Sequence, residues 1–213
     1  MSKKLILIRH GESLWNLENR YTGWAEVPLT LLGINQSKKI GNKLILNNLI
    51  PNKTYTSMQK RCIDTNDLIL KEIGNTSKIK KEITWRLNER HYGKLTGKVK
   101  TDVKWKGDFF ETPPLIKNEN NFNMIKVNNY NPIYGESYYM TYLRVVPIWN
   151  LIINDFQTID TILICSHKNA LKMLVKFIEN KKINELDYIE VNNCQPIVYD
   201  FDKNLKLINN FII

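Results

Sequence analysis

Two short runs of branched residues stand out along the chain, Leu5-Ile6-Leu7-Ile8 and Thr161-Ile162-Leu163-Ile164-Cys165. Near-continuous apolar runs of this length predict strands buried on both faces of a parallel sheet. Between them the spacing turns helical. Leu31, Leu32, Ile34, Ile40, Leu44 and Leu46 follow a capping Thr30 and predict a helix that ends near Asn47-Asn48. A short strand over Lys53-Thr54-Tyr55-Thr56-Ser57 comes next, then a helix from about Met58 to Ile73, stopped by Gly74. Tyr138, Tyr142, Val145, Val146 and Trp149 predict another helix with Ser137 as its cap, and Ala170 to Glu179 predict one more. A strand over Pro196 to Phe201 follows, and Leu205 to Ile213 reads as an edge strand or short tail. Strands alternating with helices predict a three-layer α/β/α fold around a mostly parallel sheet. The expected organisation is one domain over 1–213, with 94–134, rich in Asn, Pro and Lys, as a loop-rich insertion over the site.

The polar residues that end the two apolar strands carry the first chemical signal. The first runs into Arg9-His10-Gly11-Glu12-Ser13-Leu14-Trp15-Asn16, the second into Ser166-His167-Lys168-Asn169. The carboxyl edge of an open α/β sheet is where ligands bind. Imidazole is nucleophilic at neutral pH, a guanidinium presents a planar fork to phosphate, and glycine lets backbone amides come close. Two strands that each deliver a histidine to that edge point to phosphate-handling chemistry. Arg61, expected in the first turn of its helix, adds a cation with the helix dipole behind it. A second polar cluster, Trp85 to Gly93, places Glu89 among Arg86, Arg90, His91 and Tyr92, a proton donor and acceptor beside a cationic pocket.

Composition narrows the class. No apolar run is long enough to span a membrane, and Met1-Ser2-Lys3-Lys4 leads into only a short one, so the expectation is a soluble cytoplasmic protein without a signal peptide. Cys62, Cys165 and Cys194 are odd in number and widely spaced, which fits reduced thiols rather than disulfides or a zinc site. The net charge of +10 accompanies abundant lysine, asparagine and isoleucine, the signature of AT-rich coding, and no nucleic-acid-binding motif goes with it. Against that background the six arginines, at 9, 20, 61, 86, 90 and 144, mark places where a fork matters more than a point charge.

The chain resembles the cofactor-dependent phosphoglycerate mutases of the histidine phosphatase superfamily. The resemblance rests on Arg9 to Asn16, Asn19-Arg20-Tyr21-Thr22-Gly23-Trp24, Tyr55-Thr56-Ser57 with Arg61 four residues on, and Leu87-Asn88-Glu89-Arg90-His91-Tyr92-Gly93. Thr112-Pro113-Pro114, Arg144-Val145 with Pro147 and Trp149, and Pro196-Ile197-Val198-Tyr199 complete it. The resemblance implies that His10 is the phosphorylated nucleophile, with Arg9, Arg61 and His167 around the transferring group and Glu89 as general acid and base. It implies that Ser13, Asn16, Thr22, Gly23, Arg90, Tyr92, Lys100 and Asn169 bind substrate. The implied reaction interconverts 3-phosphoglycerate and 2-phosphoglycerate, is primed by 2,3-bisphosphoglycerate and needs no metal. The implied partners are a small phosphorylated three-carbon acid and further copies of the chain, as a dimer or tetramer, with neither nucleic acid nor membrane involved.

Three departures from the family pattern bear on these expectations. Trp105-Lys106-Gly107 stands where members usually carry two adjacent arginines, so Lys106 is the expected substitute for one cation and the other is absent. His167-Lys168-Asn169 stands where members read His-Gly-Asn, which places Lys168 among the expected substrate contacts, either narrowing the pocket or replacing the lost arginine. The sequence ends at Ile213, without the lysine- and alanine-rich tail of many members; a more open site would favour water as phosphoryl acceptor. The alternative reading is therefore a phosphatase of the same superfamily, acting on bisphosphoglycerate or another small phosphate ester. A non-catalytic binding protein that keeps the pocket is a third.

Overall fold

The computed structural model describes residues 2–114, 124–130, 132 and 134–213, apart from 75, 104 and 106. A six-stranded sheet is built from β1 (Lys3–Arg9), β2 (Lys53–Thr56), β3 (Lys80–Ile83), β4 (Thr161–Ser166), β5 (Ile197–Phe201) and β6 (Leu207–Ile212), in the order β3-β2-β4-β1-β5-β6. The β2–β3, β2–β4 and β1–β4 pairings are parallel, while β5 and β6 run antiparallel at one edge. The helices are α1 (Leu14–Leu17), α2 (Leu31–Leu46), α3 (Lys60–Ile73), α4 (Tyr138–Val145), α5 (Ile148–Asp155) and α6 (Lys168–Ile178).

The pleat explains why the two apolar runs are continuous. Side chains alternate between faces of a strand. Leu5, Leu7, Ile162, Ile164, Tyr199 and Phe201 therefore meet Val145 of α4, Ile148 and Ile152 of α5 and Leu171 and Leu174 of α6 on one face. Ile6, Ile8, Leu163, Cys165 and Val198 meet Ile40 and Leu44 of α2 and Cys62 and Ile69 of α3 on the other. Fully burying each such side chain contributes about 1.5–3 kcal/mol, so both layers are held mainly by the same two strands.

Thr30 Oγ1 accepts from Gly33 N at 3.0 Å and caps α2 as its position predicts, and Ser137 Oγ caps α4 through Met140 N at 3.1 Å. The single helix expected across Tyr138 to Trp149 is instead two, because Pro147 has no amide hydrogen to continue the ladder and serves as the N-cap of α5. The last helix begins at Lys168, two residues before the expected Ala170, with His167 as its N-cap. Edge strand β3 has no apolar signature, since Lys80 and Lys81 are exposed on it.

Adjacency of β1 and β4 is the feature that makes a site. Arg9 lies opposite Ser166 in parallel register, so the next residue of each strand is a histidine. His10 N donates to Ser166 O at 3.0 Å and locks that register. The helices that follow, α2 after β1 and α6 after β4, pack on opposite faces, which opens a crevice at this edge.

Candidate active site

The rings of His10 and His167 lie 4.9 Å apart, centroid to centroid, at an interplanar angle of 61°. His10 Nδ1 sits 2.7 Å from Gly11 O. A carbonyl only accepts, so the proton belongs on Nδ1 and Nε2 keeps its lone pair. Burial, with Arg61 and then Arg9 nearby, holds the His10 pKa well below the ordinary imidazole value. Burial and Arg61 do the same to His167. Both rings are thus neutral at pH 7, and His10 is set as a nucleophile.

The charges of Arg61 and Arg9 reach both rings, while Arg90 stands beside Tyr92; all three lack full complements of partners. Arg61, in the first turn of α3, is buried and donates from Nη1 to Ala25 O and from Nη2 to Gly23 O, each at 2.9 Å. Arg9 donates to Val191 O at 3.2 Å. Arg90 is boxed by Tyr138, Trp105 and Tyr92, its guanidinium carbon 3.9, 4.6 and 5.1 Å from their ring centroids. Arg9 Nε, Arg61 Nε, and Nε and Nη1 of Arg90 are buried without a hydrogen-bond partner among the described residues. Buried donors are almost always satisfied. Several unsatisfied guanidinium nitrogens together describe a site shaped for an anion.

Arg9, Asn16, Arg20, Thr22, Glu89, Tyr92, Lys100, Lys168 and Asn169 line one cleft. Its cations are Arg9, Arg20, Lys100 and Lys168, against Glu89 as carboxylate, so its balance suits a polyanionic ligand. Burial, then Arg9, lowers the Lys100 pKa, with Lys168 also contributing. Lys168 is exposed at the start of α6. Asn169 Nδ2 donates to Tyr92 Oη at 2.7 Å, and burial pushes the Tyr92 phenol up, so it stays a neutral hydroxyl.

Glu89 is held by backbone. Its Oε1 accepts from Arg90 N at 2.8 Å and from Asn169 N, in the first turn of α6, at 3.2 Å. Arg144 fixes the segment beneath it, donating to the carbonyls of Arg86, Asn88 and Glu89 at 2.8 to 2.9 Å while pairing with buried Glu136 at 2.6 Å.

Three other residues expected at the ligand do not line the cleft: Arg90, Ser13 and Gly23. Ser13 donates to Asn16 Oδ1 at 3.0 Å from its hydroxyl and at 3.1 Å from its amide, and so orients Asn16. Gly23, at φ 52°, supplies the carbonyl that holds Arg61 and takes Gln59 Nε2 at 2.6 Å. His91 is apart from the other two histidines; its ring packs on Trp24 at 5.3 Å, and burial lowers its pKa to about 4. Lys106 lies outside the described residues. Gly107 has φ 65°, and a Cβ there would meet the Trp105 ring at 2.4 Å, so the position that lacks the family's arginine gives its space to Trp105.

Arg20, noted only as one arginine of a motif, lines the cleft with Nη1 anchored on Gly97 O at 3.0 Å. Gln59 joins three segments, accepting from Glu89 N at 2.8 Å as well as donating to Gly23 O. An isolated glutamine before a helix carries no sequence signal for such a role; only the fold reveals it.

Comparison with known proteins agrees with this geometry. Residues 5–211 match the family model for the histidine phosphatase superfamily, branch 1. A 2,3-bisphosphoglycerate-dependent phosphoglycerate mutase of Blochmanniella pennsylvanica is 37% identical, over 99% of this chain and 98% of the relative. One of Lactobacillus acidophilus is 35% identical, over 97% and 96%. Among solved structures, mycobacterial glucosyl-3-phosphoglycerate phosphatase complexed with VO3 superposes with a TM-score of 0.76 at 16% identity, over 99% of this chain and 97% of that one. Bacillus stearothermophilus YhfR gives a TM-score of 0.74 at 23% identity, over 96% and 94%. These two share the fold. With the paired histidines, the family match and the full-length relatives in agreement, the chain belongs to branch 1 of the histidine phosphatase superfamily.

Proposed function

We propose that the protein is a phosphoglycerate mutase that interconverts 3-phosphoglycerate and 2-phosphoglycerate through a phosphorylated His10. The observation that carries the reading is the buried His10–His167 pair ringed by guanidinium nitrogens without partners, on a chain 33–37% identical to four mutases over nearly its whole length. Here 2,3-bisphosphoglycerate supplies the phosphoryl group that loads His10. The Nε2 lone pair of His10 forms the new N–P bond as the P–O bond breaks. Arg9, Arg61 and His167 compensate charge on the transferring group, and Glu89 gives a proton to the departing oxygen. In the return step Glu89 takes the proton from the attacking hydroxyl as the N–P bond breaks. Positioning and charge compensation supply most of the acceleration in such transfers.

Asn16, Thr22, Tyr92, Lys100, Lys168 and Asn169 hold the carboxylate and second phosphate, with Ser13 and Gly23 setting Asn16 and Arg61; Arg90 and Lys106 complete the charge. A free-thiol state for Cys62, Cys165 and Cys194 supports a cytoplasmic setting. The experiment is a coupled assay of 3-phosphoglycerate with and without 2,3-bisphosphoglycerate, alongside intact mass of the protein. Activity dependent on 2,3-bisphosphoglycerate and a phosphorylated His10 are expected, both abolished in His10→Ala with its circular dichroism unchanged. Phosphate release without 2-phosphoglycerate would establish the phosphatase reading instead.

A further inference from the structure

His167 Nε2 is contacted from two sides by side chains without a part in the chemistry above. Ser57 Oγ lies 2.9 Å from it and Cys62 Sγ 3.2 Å. The hydrogens of these groups can be traced. Ser57 Oγ accepts the amide hydrogen of Gln59 at 3.2 Å, and its own hydrogen has Nε2 as its acceptor among the described residues. Cys62 donates its thiol hydrogen to Ser166 O at 3.3 Å, the carbonyl that also takes His10 N, and its sulfur, 3.2 Å from Nε2 and 3.8 Å from Nδ1, packs beside the ring and off the Nε2 axis. All of these groups are fully buried, which leaves no room for solvent to arbitrate. Nε2 therefore serves as acceptor and the ring proton sits on Nδ1. At Nδ1 the sole protein contact among the described residues is Cys62 Sγ at 3.8 Å, too weak to hold that hydrogen.

We infer that Ser57 is a positioning residue that fixes His167 in its Nδ1–H tautomer and reserves that hydrogen for an oxygen of the transferring phosphoryl group. The inference rests on the proposed role of His167 for its consequence in turnover, but not for the tautomer itself.

The test begins with 15N-labelled imidazole spectra of the resting protein, which require no turnover. Nδ1 of His167 is expected in the pyrrole-like range and Nε2 in the pyridine-like range; the opposite assignment overturns the proposal. Next, Ser57→Ala is compared with the parent protein for the rate of phosphoryl uptake from 2,3-bisphosphoglycerate and for KM. Loss of one hydrogen bond to a buried ring should slow uptake by about three- to tenfold in Ser57→Ala with KM little changed. The spectrum of Ser57→Ala should show both tautomers of His167. Unaltered His167 shifts in Ser57→Ala, or slowing that merely tracks lost folded protein, would overturn the proposal. Correct wild-type shifts with no conversion of 3-phosphoglycerate would sink the mutase reading and leave this one standing.

Discussion

Glu89 has one carboxylate oxygen committed and one available. Oε1 accepts from two backbone amides, Arg90 N and Asn169 N, while no hydrogen bond to Oε2 is found among the described residues. A carboxylate held this way can exchange a proton at Oε2 without giving up its orientation. In Glu89→Gln the amide oxygen still accepts from both backbone groups, so the site keeps its shape and His10 should still take a phosphoryl group from a good donor. Turnover should fall by about 10²–10⁴-fold, the usual contribution of a positioned acid or base. Rapid-quench measurement of uptake beside steady-state turnover separates the two, and normal turnover would remove Glu89 from its role. The histidines carry a second expectation. In the folded chain His10 and His167 have pKa values well below 6.5 and His91 about 4, all through burial first. The unfolded chain thus takes up protons at these rings before the folded one does, and stability present above pH 6.5 is lost as pH falls towards the folded values. Each unit of depression is worth about 1.4 kcal/mol. The urea midpoint should therefore drop between pH 7 and pH 4.5 at constant slope, and a midpoint that holds would contradict the buried neutral rings.

At the scale of elements, the loop that carries the proposed nucleophile is pinned to a helix by two glycines. A Cβ on Gly11 would lie 2.4 Å from Gly33 O, and one on Gly33 would lie 2.1 Å from Glu12 O, with backbone on both sides of the contact. Gly33 stands in the first turn of α2, whose cap Thr30 also bonds the Glu12 carboxylate at 2.8 Å. Gly33→Ala should cost about 1–3 kcal/mol, the range for overpacking a tight contact, and should slow phosphoryl uptake by shifting residues 11–13. Urea unfolding and rapid-quench kinetics on the same variant check both, and a stable, fully active Gly33→Ala would show that the loop is not so held. The sequence makes β1, β4 and their histidines legible because double-sided burial writes a continuous apolar run. It makes α2 legible because a capped amphipathic helix repeats its spacing. β3 is not legible, since an edge strand with exposed lysines buries too little to leave a pattern. The α4–α5 break was visible in Pro147, but apolar spacing continues across it and hides the turn. Within the site, arginines and histidines announce themselves by type. Gln59 and Ser57 do not, because their roles depend on which segments the sheet brings together.

For the whole molecule, the unsatisfied donors tie stability to the proposed anionic ligand. Arg9, Arg61 and Arg90 are desolvated, and the nearby Glu89 is already engaged by backbone amides. Arg144 does not share this condition, since Glu136 and three carbonyls satisfy it. On the proposed function the folded chain binds a phosphate-like anion here and the unfolded chain has no comparable site, so binding is expected to raise stability by mass action. At a ligand concentration a hundred times Kd the gain is about 2.7 kcal/mol. For a chain of this size each kcal/mol moves Tm by about 2–4 °C, which gives a shift of roughly 5–11 °C. Vanadate and 2,3-bisphosphoglycerate should give such shifts, saturating with concentration, while chloride at equal ionic strength should not. Arg61→Met separates specific binding from general screening of the +10 net charge. It removes a desolvated cation whose Nε lacks a partner, so the variant should lose most of the vanadate shift while its response to chloride stays as before. An undiminished vanadate shift in Arg61→Met would place the anion elsewhere on the surface and detach the guanidinium ring from phosphoryl transfer.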